Sequence, residues 1–424
     1  MIPMDINNCG DMKDNEETKK MNILVVCQYY FPEEFRINDI CEQLVCNGHH
    51  VTVLTGLPNY PTGILPNEYK KGKNRKETIN GVDVIRCFEV PRKNNIIGLA
   101  LNFASYAVSA SLKALSLSKN YDIVFCYQLS PVFMALPAIL YKKIRNKPLF
   151  LYCCDLWPES LKSIISNEAS IIYKLVKKIS VMLYGKCDHI AITSKPFSRY
   201  IKNLNNKIKE EQISYMPQHA EDIYLNMDFT VEDNECVDFM FLGNVGKAQD
   251  LDCIINAVEF IKDVSNFKVH IVGDGSYLNE CRRLVNEKRL ESKFVFHGRH
   301  PVDKMPEFYK IADACLLTLK YENFTGLTVP SKLQGYMAAG KPIIGAINGA
   351  AQEIISESEC GLCVNASDAK GLSQIMLEFI NNKSKYIKCG QKGKKFFEEN
   401  FTKSIFIDRL EKLLKEMVVE GKNV

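Results

Sequence analysis

The chain has 424 residues, 46% of them hydrophobic and 25% charged, with a formal net charge of +4. That length exceeds what a single core usually supports and predicts two domains of ordinary size. The mild positive balance argues against bulk nucleic-acid binding but leaves room for a basic patch facing phosphates or an anionic membrane, and the sixteen cysteines, mostly single and in apolar runs, read as reduced thiols in a cytoplasmic protein.

Residues 1–20 are polar, lack the apolar core of a signal peptide and read as a disordered tail. From residue 21 onward, short apolar runs at 22–27, 50–55, 82–86, 122–126, 148–152 and 189–193 have the character of buried parallel strands. Helical patterns separate most of them, as at 37–46, which ends in Asn47-Gly48, a C-terminal cap signal. The uncharged segment 96–112, preceded by Arg92 and Lys93, is at the lower bound for a membrane span and reads as a buried or interfacial helix. After a polar stretch near 225–234, a second strand series follows at 237–242, 267–272, 294–296, 314–318, 342–345 and 361–364. The alternation predicts an α/β chain of two Rossmann-like, doubly wound parallel-sheet domains facing across a cleft, with ligands at the carboxyl ends of the strands.

Candidate chemistry sits on the turns after those strands. In the first half, Asn59 and Tyr60 lie in a proline-bounded loop, while Asp155 and Trp157 follow a strand. His219 and Glu221 stand at the domain junction. In the second half, Gly243, Asn244, Gly246 and Lys247 form a small-residue turn that lets backbone N–H groups approach a phosphate, and Gly273 and Gly275 repeat the device. Arg299 ends the next strand. Asp250 and Asp252 have the spacing of a metal-binding acid pair but stand at a helix start, where capping is the expected role. The richest segment runs from Glu322 through Thr325, Gly326, Leu327 and Thr328 to Pro330, Ser331, Lys332 and Gln334. It reads as a glycine- and threonine-rich loop opening a short helix over 330–339, capped at Gly340, whose amino end would hold a diphosphate beside Lys332.

Around these residues, the run PSKLQGYMAAGKP at 330–342, preceded by VGDG at 272–275 and FHGR at 296–299 and followed by GAAQE at 349–353, resembles the donor domain of family-4 retaining glycosyltransferases of the GT-B fold. The first half agrees through QYYFPE at 28–33, TGLPNYP at 55–61, DLWPES at 155–160 and PQHAED at 217–222, which are similar to the branch that builds capsule, O-antigen and exopolysaccharide units. The resemblance implies an acceptor-binding domain over 21–225, a nucleotide-sugar donor domain over 226–400, and a helix over 401–424 that packs toward the first domain. It further implies a nucleotide-diphosphate sugar (UDP-sugar) as co-substrate with no other cofactor, no metal, no nucleic acid, and a polyprenyl-diphosphate-linked saccharide acceptor at the inner membrane face, with peripheral membrane contact.

Carried over residue by residue, the resemblance makes Lys332 and Lys247 the phosphate ligands and puts Gln128 where relatives often carry a histidine facing the donor sugar. Two departures stand out. The carboxylates that relatives place at the hexose and the ribose fall on Leu327 and Gly335, which leaves Glu322 and Gln334 as substitutes, and a usual basic pair falls on Asn244 and Gln249. An NAD-dependent enzyme is disfavoured because Gly273-Asp-Gly275 is an incomplete fingerprint and no glycine closes the first strand. A nucleotide-sugar epimerase or phosphorylase of the same fold, and a non-catalytic accessory protein, are the alternatives.

Overall fold

The computed structural model describes residues 20–421 apart from Asn94, Ile164, Ser166, Glu221, 232–235 and 321–324. Residues 1–19 of the expected tail therefore lie outside the described residues. Two compact units emerge: the first comprises the chain through Thr193, Phe197–Met216 and Ile407 onward, and the second Ser194–Pro196 and Pro217–Phe406.

In the first unit, β1 (Asn22–Val26), α1 (Arg36–Cys46), β2 (His50–Thr55), β3 (Lys76–Ile79), β4 (Val82–Arg86), α2 (Ile96–Leu115) and β5 (Ile123–Gln128) come first. They are followed by α3 (Leu136–Arg145), β6 (Leu149–Cys153), α4 (Ile171–Tyr184), β7 (His189–Ile192), α5 (Pro196–Leu204) and β8 (Ile213–Tyr215). The sheet order is β3-β4-β2-β1-β5-β6-β7-β8, parallel except for the β3–β4 hairpin. Its interior is aromatic, with Phe125, Tyr127, Phe150 and Tyr152 fully buried on β5 and β6. The short edge strands β3 and β8 were not legible as apolar runs, because an edge strand half open to water alternates polar and apolar residues.

The second unit continues with β9 (Val237–Leu242), α6 (Leu251–Phe260), β10 (Phe267–Val272), α7 (Leu278–Glu287), β11 (Phe294–Gly298), α8 (Met305–Ile311) and β12 (Ala314–Thr318). Then come α9 (Ser331–Ala338), β13 (Ile343–Ala346), α10 (Ala350–Ser358), β14 (Gly361–Val364), α11 (Ala369–Asn381), α12 (Lys383–Asn400) and α13 (Lys403–Glu420). Strand order is β11-β10-β9-β12-β13-β14, so the chain winds outward in both directions from the β9/β12 pair. That pair is the topological switch point of a doubly wound sheet.

The second unit begins at Pro217 rather than near 226, for a packing reason. Ala220 donates its N–H to Phe401 O, and the Tyr224 ring packs edge-on against Tyr309 at 5.2 Å, so the connecting stretch is part of that unit's core. From Ile407 onward the last helix belongs to the first unit, where Glu411 accepts from Asn47 Nδ2 at 2.5 Å and faces His49 at 3.4 Å.

One buried hydroxyl sets the position of α9. Tyr336, 1% exposed, accepts from Leu242 N at 3.0 Å, pinning the helix to the end of β9. Removing a partner from a buried N–H costs about 1–3 kcal/mol, more than a surface change would. Tyr336→Phe should therefore lower the urea midpoint by that order while leaving the fold intact, and a variant as stable as wild type would show that the hydroxyl does not anchor the helix.

Candidate functional site

At the switch point two chain segments meet through a lysine. The chain leaves β9 at Gly243, whose φ of +126° suits glycine, and a Cβ built there would fall 2.6 Å from Lys332 Cε. Lys332, in the first turn of α9, crosses to this turn: its Nζ lies 3.8 Å from the centre of the Phe241 ring and 3.5 Å from Asn244 O. Among the described residues no carboxylate lies within ion-pair distance of it. Burial alone pushes its ammonium down to about 7. A half-buried lysine with no carboxylate partner among the described residues, above a glycine turn, can take an anion as its partner.

The neighbouring turns are packed backbone against backbone. A Cβ on Gly273 (φ +150°) would strike Gly243 O at 1.8 Å, and one on Gly275 would meet Val245 O at 2.3 Å. The same happens on the other side, where a Cβ on Gly349 (φ +72°) would fall 2.0 Å from Gly326 O, in the tight turn Thr325–Leu327 that precedes α9. Pro330 is the N-terminal cap in extended geometry rather than the first helical residue, and no side chain caps the helix. The amino end of α9 thus keeps donors of its own, with Ser331 exposed beside them and Thr328 on the approach.

Several expected contacts point elsewhere. Gln334 is buried, and its amide donates to Gln218 O, so it braces the 217–220 stretch instead of reaching a ribose. Asn244 and Gln249, at the positions of the expected basic pair, are spent on each other: Gln249 Oε1 accepts from Asn244 Nδ2 at 3.3 Å and from Gly246 N at 3.1 Å. Against the expectation of capping, Asp250 stands at the N-cap of α6 but makes no capping hydrogen bond with its side chain. It adopts a left-handed conformation and accepts from Ser367 Oγ at 2.6 Å, while Asp252 accepts from Tyr277 Oη at 3.0 Å. Lys247 is exposed at the start of the turn before α6, and Arg299 is exposed beyond the edge strand β11. Glu322 lies outside the described residues. Leu327 and Gly335 are half-buried, and a Cβ on Gly335 would sit 3.2 Å from Tyr309 Oη.

In the first unit, Gln128 is fully buried, and its amide donates to Leu129 O at 2.7 Å and Asp155 O at 2.9 Å. Its side chain joins the end of β5 to the loop after β6 and leaves no donor to face a sugar. Asp155 accepts from Ser130 Oγ at 2.7 Å, which in turn accepts from Trp157 Nε1 at 3.0 Å. Burial raises the Asp155 carboxyl above the usual range. Trp157 is 5% exposed against Phe133, so it is core and not an open sugar platform. His219 belongs to the second unit, buried against Phe406 with ring centres 5.0 Å apart, and Glu221 lies outside the described residues.

The Asn59–Tyr60 loop has more behind it than the sequence suggested. Glu33 Oε1 accepts from both Asn59 N at 2.7 Å and Tyr60 N at 2.5 Å. Asn59 Oδ1 accepts from Arg92 N at 2.8 Å, and Glu89 Oε1 accepts from Gln28 Nε2 at 2.9 Å and Asn102 Nδ2 at 2.5 Å. Burial pushes Glu33 up to about 7 and Glu89 up to about 8. Glu33, Glu89 and Asn102 were not singled out because they come from separate elements. An acid between Phe88 and Val90 at a strand exit was the available signal.

Two doubly wound units, the second with its switch point at the β9/β12 pair, define a chain of the GT-B architecture. Residues 226–396 match the family model of glycosyl transferases group 1. The probable glycosyltransferase WbjE of Pseudomonas aeruginosa is 23% identical over 351 residues, covering 79% of this chain and 85% of its own. The putative colanic acid biosynthesis glycosyl transferase WcaI of Escherichia coli K12 is 23% identical over 340 residues, covering 76% and 82%. HepE of Anabaena, crystallised with UDP, superposes with a TM-score of 0.68 at 13% identity over 93% of this chain and all of its own.

The Lys332 environment has a pH signature. Its folded pKa lies below the ordinary value of 10.5, so between about 7 and 10.5 the native state holds fewer protons than the unfolded one. Stability contributed through Lys332 therefore rises with pH across that window. Glu33 and Glu89 act in the opposite sense from 4.5 up to about 8, because the native state there holds more protons. Lys332→Met should flatten the rise in urea midpoint between pH 7 and pH 9, and an unchanged slope would mean that the ammonium is not held in this environment.

Proposed function

We propose that the chain is a retaining, metal-independent hexosyltransferase that moves a sugar from a UDP-sugar to a polyprenyl-diphosphate-linked saccharide during surface-polysaccharide assembly. The observation that carries this reading is the placement of Lys332, unpaired by any described carboxylate, over the glycine turn of β9 at the switch point. A diphosphate at the amino end of α9 gains a helix-dipole contribution of about 0.3–2 kcal/mol and about 1.5–3 kcal/mol for each charge-assisted hydrogen bond. Negative charge grows on the diphosphate as its bond to the anomeric carbon breaks, so these interactions strengthen toward the transition state. In retention by front-face departure, the acceptor oxygen bonds to the same face while its proton passes to the leaving phosphate oxygen. Support comes from the group 1 match over 226–396, from the similarity to WcaI, named for colanic acid biosynthesis, and from UDP bound to HepE.

Nucleotide binding is the direct test. In a thermal-shift screen of UDP, GDP, ADP and their sugars, a ligand at about 100 times its dissociation constant should stabilise by about 2.7 kcal/mol. An anion beside Lys332 restores its proton, so titration at pH 8 in buffers of different ionisation enthalpy should show proton uptake that Lys332→Ala abolishes. Lys332→Ala should also lower kcat/KM by about 10²-fold with little loss of stability. If no nucleotide binds at millimolar concentration, the accessory reading takes over, which Leu327 and Gly335 in place of carboxylates already favour.

The first unit supplies the membrane side of the proposal. On α2, the one described helix long and apolar enough to cross a membrane, Ile96, Ile97, Leu101, Val108, Leu112 and Leu115 are exposed. On α4, Ile171, Ile172, Leu175 and Met182 are exposed beside Lys174, Lys177 and Lys178. Both helices pack on residues 132–135, so the two apolar stripes share one side of the unit. Apolar side chains interleaved with lysines suit the surface of an anionic bilayer, where each lysine contributes about 1 kcal/mol. The protein should sediment with vesicles containing phosphatidylglycerol and not with pure phosphatidylcholine, and Ile171→Ser/Leu175→Ser should weaken that binding; equal sedimentation with both lipids would remove the charge component.

A further inference from the structure

The buried polar network of the first unit ends at the surface in a pair that the transfer reaction has not yet used. Tyr60 is 42% exposed, and the Arg92 guanidinium lies over its ring, 5.3 Å from the centre. Glu33 fixes the Tyr60 backbone, Asn59 fixes the Arg92 backbone, and the rings of Tyr29 and Phe35 each stand 5.3 Å from that of Tyr60. The pair sits past the carboxyl ends of β2 and β4, on the side of the sheet where ligands of parallel folds bind.

Arg92 has no carboxylate of the described residues within ion-pair distance. Lys93 beside it is exposed, packed along the first turn of α2 at Gly98. The acids behind the pair do not cancel this charge. Glu89 faces Gln28, Asn59 and Asn102, burial holds it protonated near neutrality, and the nearest strand cation, Arg86, is committed to Glu77 at 2.6 Å. The Tyr29 hydroxyl, 4% exposed by residue, stands next to the Arg92 side chain and backs the pair. A guanidinium with no acid partner among the described residues, over an exposed phenol, is equipped for a hydroxyl-rich ring that carries a negative charge.

We propose that Tyr60 and Arg92 form the acceptor subsite and that it selects a saccharide bearing an anionic group, a phosphate or a carboxylate. The word acceptor rests on the transfer reading above; the anion selectivity does not.

The test uses the full chain and three probes: glucose 1-phosphate, glucuronate and glucose, followed by ligand-observed NMR titration. Both charged probes, or one of them, should bind wild type at least tenfold more tightly than glucose, the stronger of the two identifying the source of the charge. Arg92→Ala and Arg92→Gln should lose that preference by about tenfold or more while UDP affinity stays unchanged. Equal binding of charged and neutral probes, no binding of any probe, or an Arg92→Gln variant with full preference would overturn the proposal. Should the charged probes bind as expected and no nucleotide sugar be bound or consumed, the transfer reading falls and this subsite stands.

Discussion

The second unit depends on how closely α9 approaches the end of β9. Tyr336 hydrogen-bonds the last residue of that strand, and Lys332, one turn earlier, lies over a residue that has no side chain. The hydroxyl adds a polar tie to the apolar packing of Leu333 and Met337, and a side chain at Gly243 would meet the lysine on its path across. The cation that results is held by sterics and backbone, not by an acid, so its charge remains available to a ligand.

Most of the fold was legible in the sequence because parallel strands buried on both faces leave a periodic record. Twelve apolar runs map onto strands of the two sheets, and the two strands that escaped notice, β3 and β8, lie at the edges of the first. Glycine positions in the switch-point turns were legible for the same kind of reason, since few other residues tolerate such close approach. Side-chain direction was not. Gln128, Gln334 and Trp157 occupy the expected positions on the chain but turn inward, two of them to satisfy backbone carbonyls and one to fill the core. A sequence motif names the loop and leaves open which polar groups the protein keeps for itself. The network around Glu33 and Glu89 was invisible for a different reason, as it draws single residues from three loops and a helix and has no spacing to recognise.

The two units handle charge in opposite ways. In the first, burial raises two carboxyls that backbone and side-chain amides donate to; in the second, burial lowers a lysine that no carboxylate among the described residues pairs with. Asn244 is paired with Gln249 where the resemblance puts basic residues, so the proposed anion site would rely on Lys332 and the main chain.

The stacked glycine turns carry a consequence for how such a domain diversifies. Where Gly273 meets Gly243 and Gly349 meets Gly326, one peptide plane rests on another, and no side chain takes part in the joint. The course of the loops is thereby insulated from the identity of the amino acids on their rims. Positions such as Asn244, Arg299 and Leu327 can drift over a frame that stays still. Redesign of selectivity belongs on that rim, and the four glycines beneath it are the places to leave alone.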